Sequence, residues 1–176
     1  MKTLNFFLLI AMLIFASCAK FETSDETVDL KKAKVPIPMK AEFCMTPNMD
    51  AGFFLIDGLD PANPASYLPR EGWISGFATH MGEVIMQEST VTFISAVFVP
   101  GTGVVSTSAG RITAANGDYY LFTETTTTLP NGTFTGNVWM YGGTGKFLGM
   151  TGPVVMTGQK TDQGPCWTGI GTMNYE

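Results

Sequence analysis

The chain predicts an all-β fold, an antiparallel barrel of eight strands closed on itself. Three observations carry that expectation. Past Met39 no stretch keeps a 3.6-residue apolar period, whereas Thr, Val, Phe, Gly and Tyr, which suit turns and pleated sheets, are abundant. Turn chemistry recurs at Asp57-Gly58, Pro100-Gly101, Asn116-Gly117, Pro130-Asn131-Gly132, Gly142-Gly143 and Gly164-Pro165; Asn-Gly in particular supplies the positive φ angles of a tight hairpin. Between Asn131 and Gly142, apolar Phe134, Val138 and Met140 alternate with Thr133, Thr135 and Asn137, a period of two with one face towards a core. Eight or nine consecutive strands with short connections favour closure, because closure removes exposed edges.

The N-terminus stands apart from that domain. One Lys at position 2, an apolar run from Phe6 to Ala16 and small residues before a cysteine give the order of an export signal, and the run is short for a membrane span. Phe15-Ala16-Ser17-Cys18 resembles the lipobox of bacterial lipoproteins, in which the chain is cut before the cysteine and the thiol is acylated. An ordinary signal peptide is the alternative. Residues 1–17 are thus expected to be a leader and residues 18–39 a lipidated tether, polar, mixed in charge and closed by Pro36 and Pro38. Glu22, Asp25 and Glu26 also resemble the acidic tract after the lipidated cysteine of some surface-exported lipoproteins. These features predict a bacterial envelope protein held by acyl chains at a membrane, on the periplasmic or surface side of the outer membrane, each buried methylene adding ~0.8 kcal/mol.

Residues 40–176 are the predicted barrel domain, enough for one core. Strands are expected at 40–46, 73–80, 82–87, 91–99, 103–115, 118–128, 133–141, 147–160 and 166–175. Residues 47–72, with Pro47, Pro61, Pro64 and Pro69, read as a long loop with a short strand at 52–56, able to cover an open end of the barrel. With Cys18 acylated, Cys44 and Cys166 remain near the two ends of the domain. They are expected to form a disulfide outside the inner membrane, the alternative being two separate thiols. The formal net charge of −5, with no basic block, excludes nucleic acid as a partner, because phosphate neutralisation supplies most of that affinity. No CxxC or Cys/His spacing points to a metal, and no cofactor is expected.

The stretch YGGTGKFLGMTG, residues 141–152, has the glycine density of a phosphate loop. Gly145-Lys146 matches the end of a Walker motif, but Met140 replaces its first glycine and Phe147 its magnesium-binding hydroxyl. The same glycines serve a barrel corner, with Phe147 and Leu148 as a core plug. GFATHMGE (76–83), ITAANGDYYLF (112–122), YGGTGKFLGMTG and the closing GTMNY (171–175) resemble, in that order, small secreted bacterial proteins of the allene oxide cyclase-like, dirigent-like barrel group. The resemblance implies an eight-stranded barrel with an apolar interior, sometimes oligomeric. Glu83, Lys146 and Met150 depart from the residues common there, and Glu83 puts a shared charged site in doubt.

Two side chains are candidates for chemistry. His80 is the sole histidine, at a strand end beside Thr79 and Glu83; structural hydrogen bonding at a rim is its plainer reading. Glu124 lies in YYLFTETTTT in phase with Tyr120 and Phe122. Facing inward, its pKa would rise and it could move a proton; facing outward, it is merely solvated. Arg111 on the preceding strand is its expected ionic partner across the hairpin. Phe77, Phe122, Phe134 and Met140 are the expected lining of an apolar pocket, although core packing explains most such residues. The function expected is a non-enzymatic envelope lipoprotein whose barrel binds a small apolar molecule. A cofactor-free isomerase or cyclase and a structural lipoprotein assembling with copies of itself are the alternatives.

Overall fold

A computed structural model describes residues 35–162 and 164–175. The leader, Cys18 and the tether up to residue 34 lie outside the described residues. The strands in chain order are β1 (Ile37–Pro47), β2 (Phe53–Leu55), β3 (Tyr67–Pro69), β4 (Glu71–Ala78), β5 (Gly82–Glu83), β6 (Thr90–Val99), β7 (Gly103–Thr113), β8 (Tyr119–Thr128), β9 (Thr133–Gly142), β10 (Met150–Thr161) and β11 (Gly164–Tyr175). Eight of them form a closed antiparallel barrel in the order β1-β11-β10-β9-β8-β7-β6-β4, with β4 returning to β1. Among the described residues the only helices are short 3₁₀ turns.

β1 closes the cylinder. Phe43 stands opposite Trp167 of β11 on one side and Gly76 of β4 on the other. Next to it Cys44 and Cys166, directly opposed, form the expected disulfide across 122 residues of chain. β1 begins at Ile37, three residues inside the stretch read as tether. Pro38 is tolerated there because only β11 pairs with that part of β1; the β4 pairing starts at Ala41.

Other departures have equally local causes. The strand expected at 82–87 shrinks to β5, since Val84 and Ile85 donate to Gly76 and Thr113 and the chain then turns at Met86–Glu88. β6 bulges between Phe93 and Ser95, which turns Ile94 outward. The long loop is partly sheet. It carries the small β2–β3 hairpin and lies along the free edge of β6, where Asp57 donates to Ala96 and accepts from Phe98. β4 pairs with β6 only as far as Thr92, so the remaining ladder groups of β6 need that partner.

Inward residues follow the alternation and fill the lumen with seven buried methionines (39, 45, 81, 140, 150, 156 and 173) and with aromatic rings. One end is stoppered. After β9 the glycine-rich loop folds back, and fully buried Phe147 meets the Tyr120 ring edge-on at 5.7 Å. The Asn-Gly-Asp turn holds it: Asp118 accepts from the Lys146 amide at 3.1 Å and from the Asn116 side chain, while Thr144 exchanges hydrogen bonds with the Tyr119 backbone. A Cβ on Gly145, whose φ is 51°, would collide with the Asp118 carboxylate. The glycine-rich stretch and the Asn-Gly-Asp turn are therefore one lock on the floor of the barrel.

Replacing both cysteines with serine (C44S/C166S) frees the ends of a 122-residue loop in the unfolded chain. Urea unfolding should show a loss of about 4–5 kcal/mol relative to the oxidised protein. Equal stability of the two would show that the bridge does not restrict the unfolded state.

Candidate functional site

Glu124 points inward. On β8, Tyr120, Phe122 and Thr126 share its face and are buried, whereas Thr123 and Thr125 are exposed. The register places it opposite Ser108 of β7, whose hydroxyl donates to the carboxyl at 2.5 Å. On the next inward rung Ser106 and Thr126 share a hydrogen bond of 2.7 Å. Four polar side chains thus form a two-rung ladder in an otherwise apolar lumen. Burial raises the Glu124 pKa above the ordinary carboxylate value, and the Ser108 hydrogen bond offsets part of that rise.

Arg111 is not its partner. The β7–β8 register sets Arg111 opposite Leu121 on the outer face, where its guanidinium donates to the Glu88 carbonyl and lies 5.2 Å from the Tyr119 ring centre. Inward and outward residues on neighbouring strands cannot meet through the sheet. His80 is exposed in the β4–β5 turn at φ 66°, outside the lumen, so the two candidate chemical residues are not brought together.

Phe122, Phe134 and Met140 do converge inside the barrel. Phe77 does not join them; it lies one residue out of phase with Ile74 and Ala78 and is 55% exposed on the outer face. The internal void between Met39, Phe122, Glu124, Val138, Met140 and Met156 measures only about 30 Å³. That is room for about one water molecule, whose share of liquid volume is ~30 Å³. A larger guest has to displace core side chains.

A much larger concavity, about 850 Å³, lies on the outside of the wall. Its side chains are outward residues of neighbouring strands. Thr127, Thr135, Thr157, Thr168 and Glu42 stand in one register row across β8, β9, β10, β11 and β1. A second row, two residues nearer the strand ends, holds Thr133, Gln159, the Cys166–Cys44 bridge and Ser75. Between the rows the chain passes through Phe134, Gly158, Trp167, Phe43 and Gly76, whose rings face the lumen. Two of these must be glycines. A Cβ on Gly76 would strike the Glu42 carbonyl, and one on Gly158 the Cys166 carbonyl and the Phe134 ring. Sequence reasoning missed this groove, since its rows exist only once six strands are in register. The one sequence signal was the i, i+2 spacing of Thr133 with Thr135 and of Thr123, Thr125 and Thr127.

Elsewhere on the outer face Val97 stands opposite Val105 on β7, and Trp139, Val155 and Ile170 are exposed on adjacent strands. No group of His, Cys, Asp or Glu among the described residues could hold a metal ion. Fold and site together define a plugged, closed antiparallel β-barrel with an external concavity lined by threonines, Leu129 and the disulfide. No protein-family model matches the chain, and no curated protein or solved structure does either.

The raised Glu124 pKa has a definite sign. Its contribution to stability is present in full below the unfolded carboxylate value of ~4.3 and is lost as pH rises through the higher folded value. Melting temperatures of the native chain and of Glu124→Gln, which keeps an acceptor for Ser108, should diverge across that window. The variant is expected to lack the decline seen in the native chain, and parallel pH profiles would place the carboxyl in solvent.

Proposed function

We propose that the protein is a non-enzymatic envelope lipoprotein, acylated at Cys18, whose barrel binds a small uncharged ligand in the groove on its outer face. The observation that carries this reading is the contrast between the two spaces. The lumen leaves about 30 Å³ and the groove about 850 Å³, and only the latter falls within the ~300–1,000 Å³ of ordinary ligand sites. An apolar guest in the lumen is the costlier alternative, because close-packed cores resist insertion by ~1–3 kcal/mol or more. The groove also presents apolar surface, from threonine methyls, Leu129 and the disulfide, beside its polar groups.

A second reading keeps chemistry in the lumen, as a cofactor-free isomerase or cyclase. It is favoured by one observation, the inward carboxyl of Glu124 at the edge of the void. Such an enzyme would need Trp167 or the methionines to swing aside and admit substrate, with Glu124 taking up and returning one proton.

Two measurements bear on the main reading. Thr157 is exposed at the middle of the groove, so Thr157→Lys fills it with a charged chain while leaving the core alone. Fluorescence titration with Nile red, an uncharged probe, should give saturable binding that the variant weakens tenfold or more; equal binding by the two proteins counts against the groove. Radiolabelled palmitate should be incorporated in the bacterial host by the native chain and not by Cys18→Ser, and label in both would place the acyl chain elsewhere.

A further inference from the structure

One flank of the barrel turns no charge outward. β8, β9, β10 and β11 are neighbours in the sheet, and of the charged residues they contain, Glu124 faces the lumen and Lys160 sits at the far end of β10. Among the described residues, no outward position between them holds Asp, Glu, Lys or Arg. The opposite flank differs: β1, β4 and β7 turn Lys40, Glu42, Glu71 and Arg111 outward.

In the half nearer the Phe147 stopper, the uncharged flank is apolar. Trp139 stands opposite Pro153 and Val155 opposite Ile170, while Pro153 and Val155 share the outer face of β10. Trp139, Val155 and Ile170 are each at least half exposed. Tyr141 and Leu121, opposite one another and nearer still to the stopper, extend the patch. Contiguous exposed apolar surface of this kind marks a contact face.

Three features select the partner. The wall is convex, four of eight strands curving round half the cylinder, so a rigid second copy would touch only its crest, short of the ~20–30 residues a side of a stable interface. A bilayer yields around such a surface. The patch also joins aromatic Trp139 and Tyr141 to uncharged aliphatic side chains, the composition that settles between lipid headgroups and acyl chains. Finally, β1 starts at this end, with Ile37 beside Met173 and Val35 exposed, so the chain arriving from Cys18 enters at the same end of the barrel as the patch.

We infer that the stopper half of the β9–β11 flank docks on a phospholipid bilayer, with Trp139, Pro153, Val155 and Ile170 entering the headgroup boundary. The contact is apolar and requires neither anionic lipid nor acylation. An acyl chain on Cys18, as proposed above, would reinforce it by holding the flank at high local concentration.

Sedimentation with phosphatidylcholine vesicles tests this on the chain from residue 18 carrying Cys18→Ser, which has no acyl group. Saturable partitioning, unchanged by added salt, is expected. Trp139→Thr and Ile170→Thr should each weaken it about tenfold or more, as loss of one large apolar side chain implies. Ile94→Thr is the control, because Ile94 is 67% exposed, as open as Ile170, but lies on β6, across the cylinder from β10. Its partitioning should equal that of the parent. Melting temperatures of the three variants, expected to match the parent, guard against a folding defect. Absence of partitioning, or equal weakening by Ile94→Thr, overturns the docking flank. Dimerisation that Trp139→Thr abolishes, without vesicle binding, assigns the patch to a second copy and overturns it as well. Palmitate labelling and Nile red binding are unaffected by either result, so this inference can fail while the reading above stands.

Discussion

Closure by β1 is the constraint on which the rest of the molecule depends. A sheet of seven strands from β4 round to β11 would expose two long edges, each a row of unpaired backbone groups and a template for aggregation. β1 pairs with both edges at once, and the Cys44–Cys166 bridge fastens it to β11. Once β1 is seated, the alternation of every strand is fixed as lumen or surface. Closure therefore decides that Glu124 is buried and that Arg111, three residues from Ser108 on the same strand, is not. It also brings Glu42 and Ser75, distant in sequence from the β8–β11 threonines, into the same groove.

The glycines divide by purpose. Those of the β9–β10 loop let Phe147 enter the lumen and Asp118 grip the loop backbone. Those at 76 and 158 lie where neighbouring backbone or a ring occupies the space of a side chain, beneath the external groove. Neither set cradles an anion, which requires amide groups converging on an open point. At Gly76, Gly145 and Gly158 glycine marks close approach of chain to chain.

Much of the fold was legible because its cause is local. The period of two around Phe134, Val138 and Met140 and the turn chemistry at Asn116-Gly117 are properties of neighbouring residues, and the strands they predict are there. The opposed cysteines were legible from redox context and number alone. What failed needed register. Pairing Arg111 with Glu124 assumed that residues near in a hairpin share a face, and the turn through Ala114–Asp118 sets them three residues out of register and on opposite faces. Phe77 looked like pocket lining because it is aromatic, but its parity with exposed Glu71 puts it outside. The strand expected at 82–87 was lost to hydrogen bonds from residues far along the chain. The groove was invisible for the same reason, being a property of six strands together.

The stopper at one end gives the barrel a polarity. Val35 and Ile37, where the chain enters the domain, belong to the same end as Phe147, whereas Thr133, Gln159 and Ser75 lie towards the other. If the chain is moored through Cys18 as proposed, the described domain is entered at the blind base of the cylinder, and the threonine-lined flank lies towards the other end.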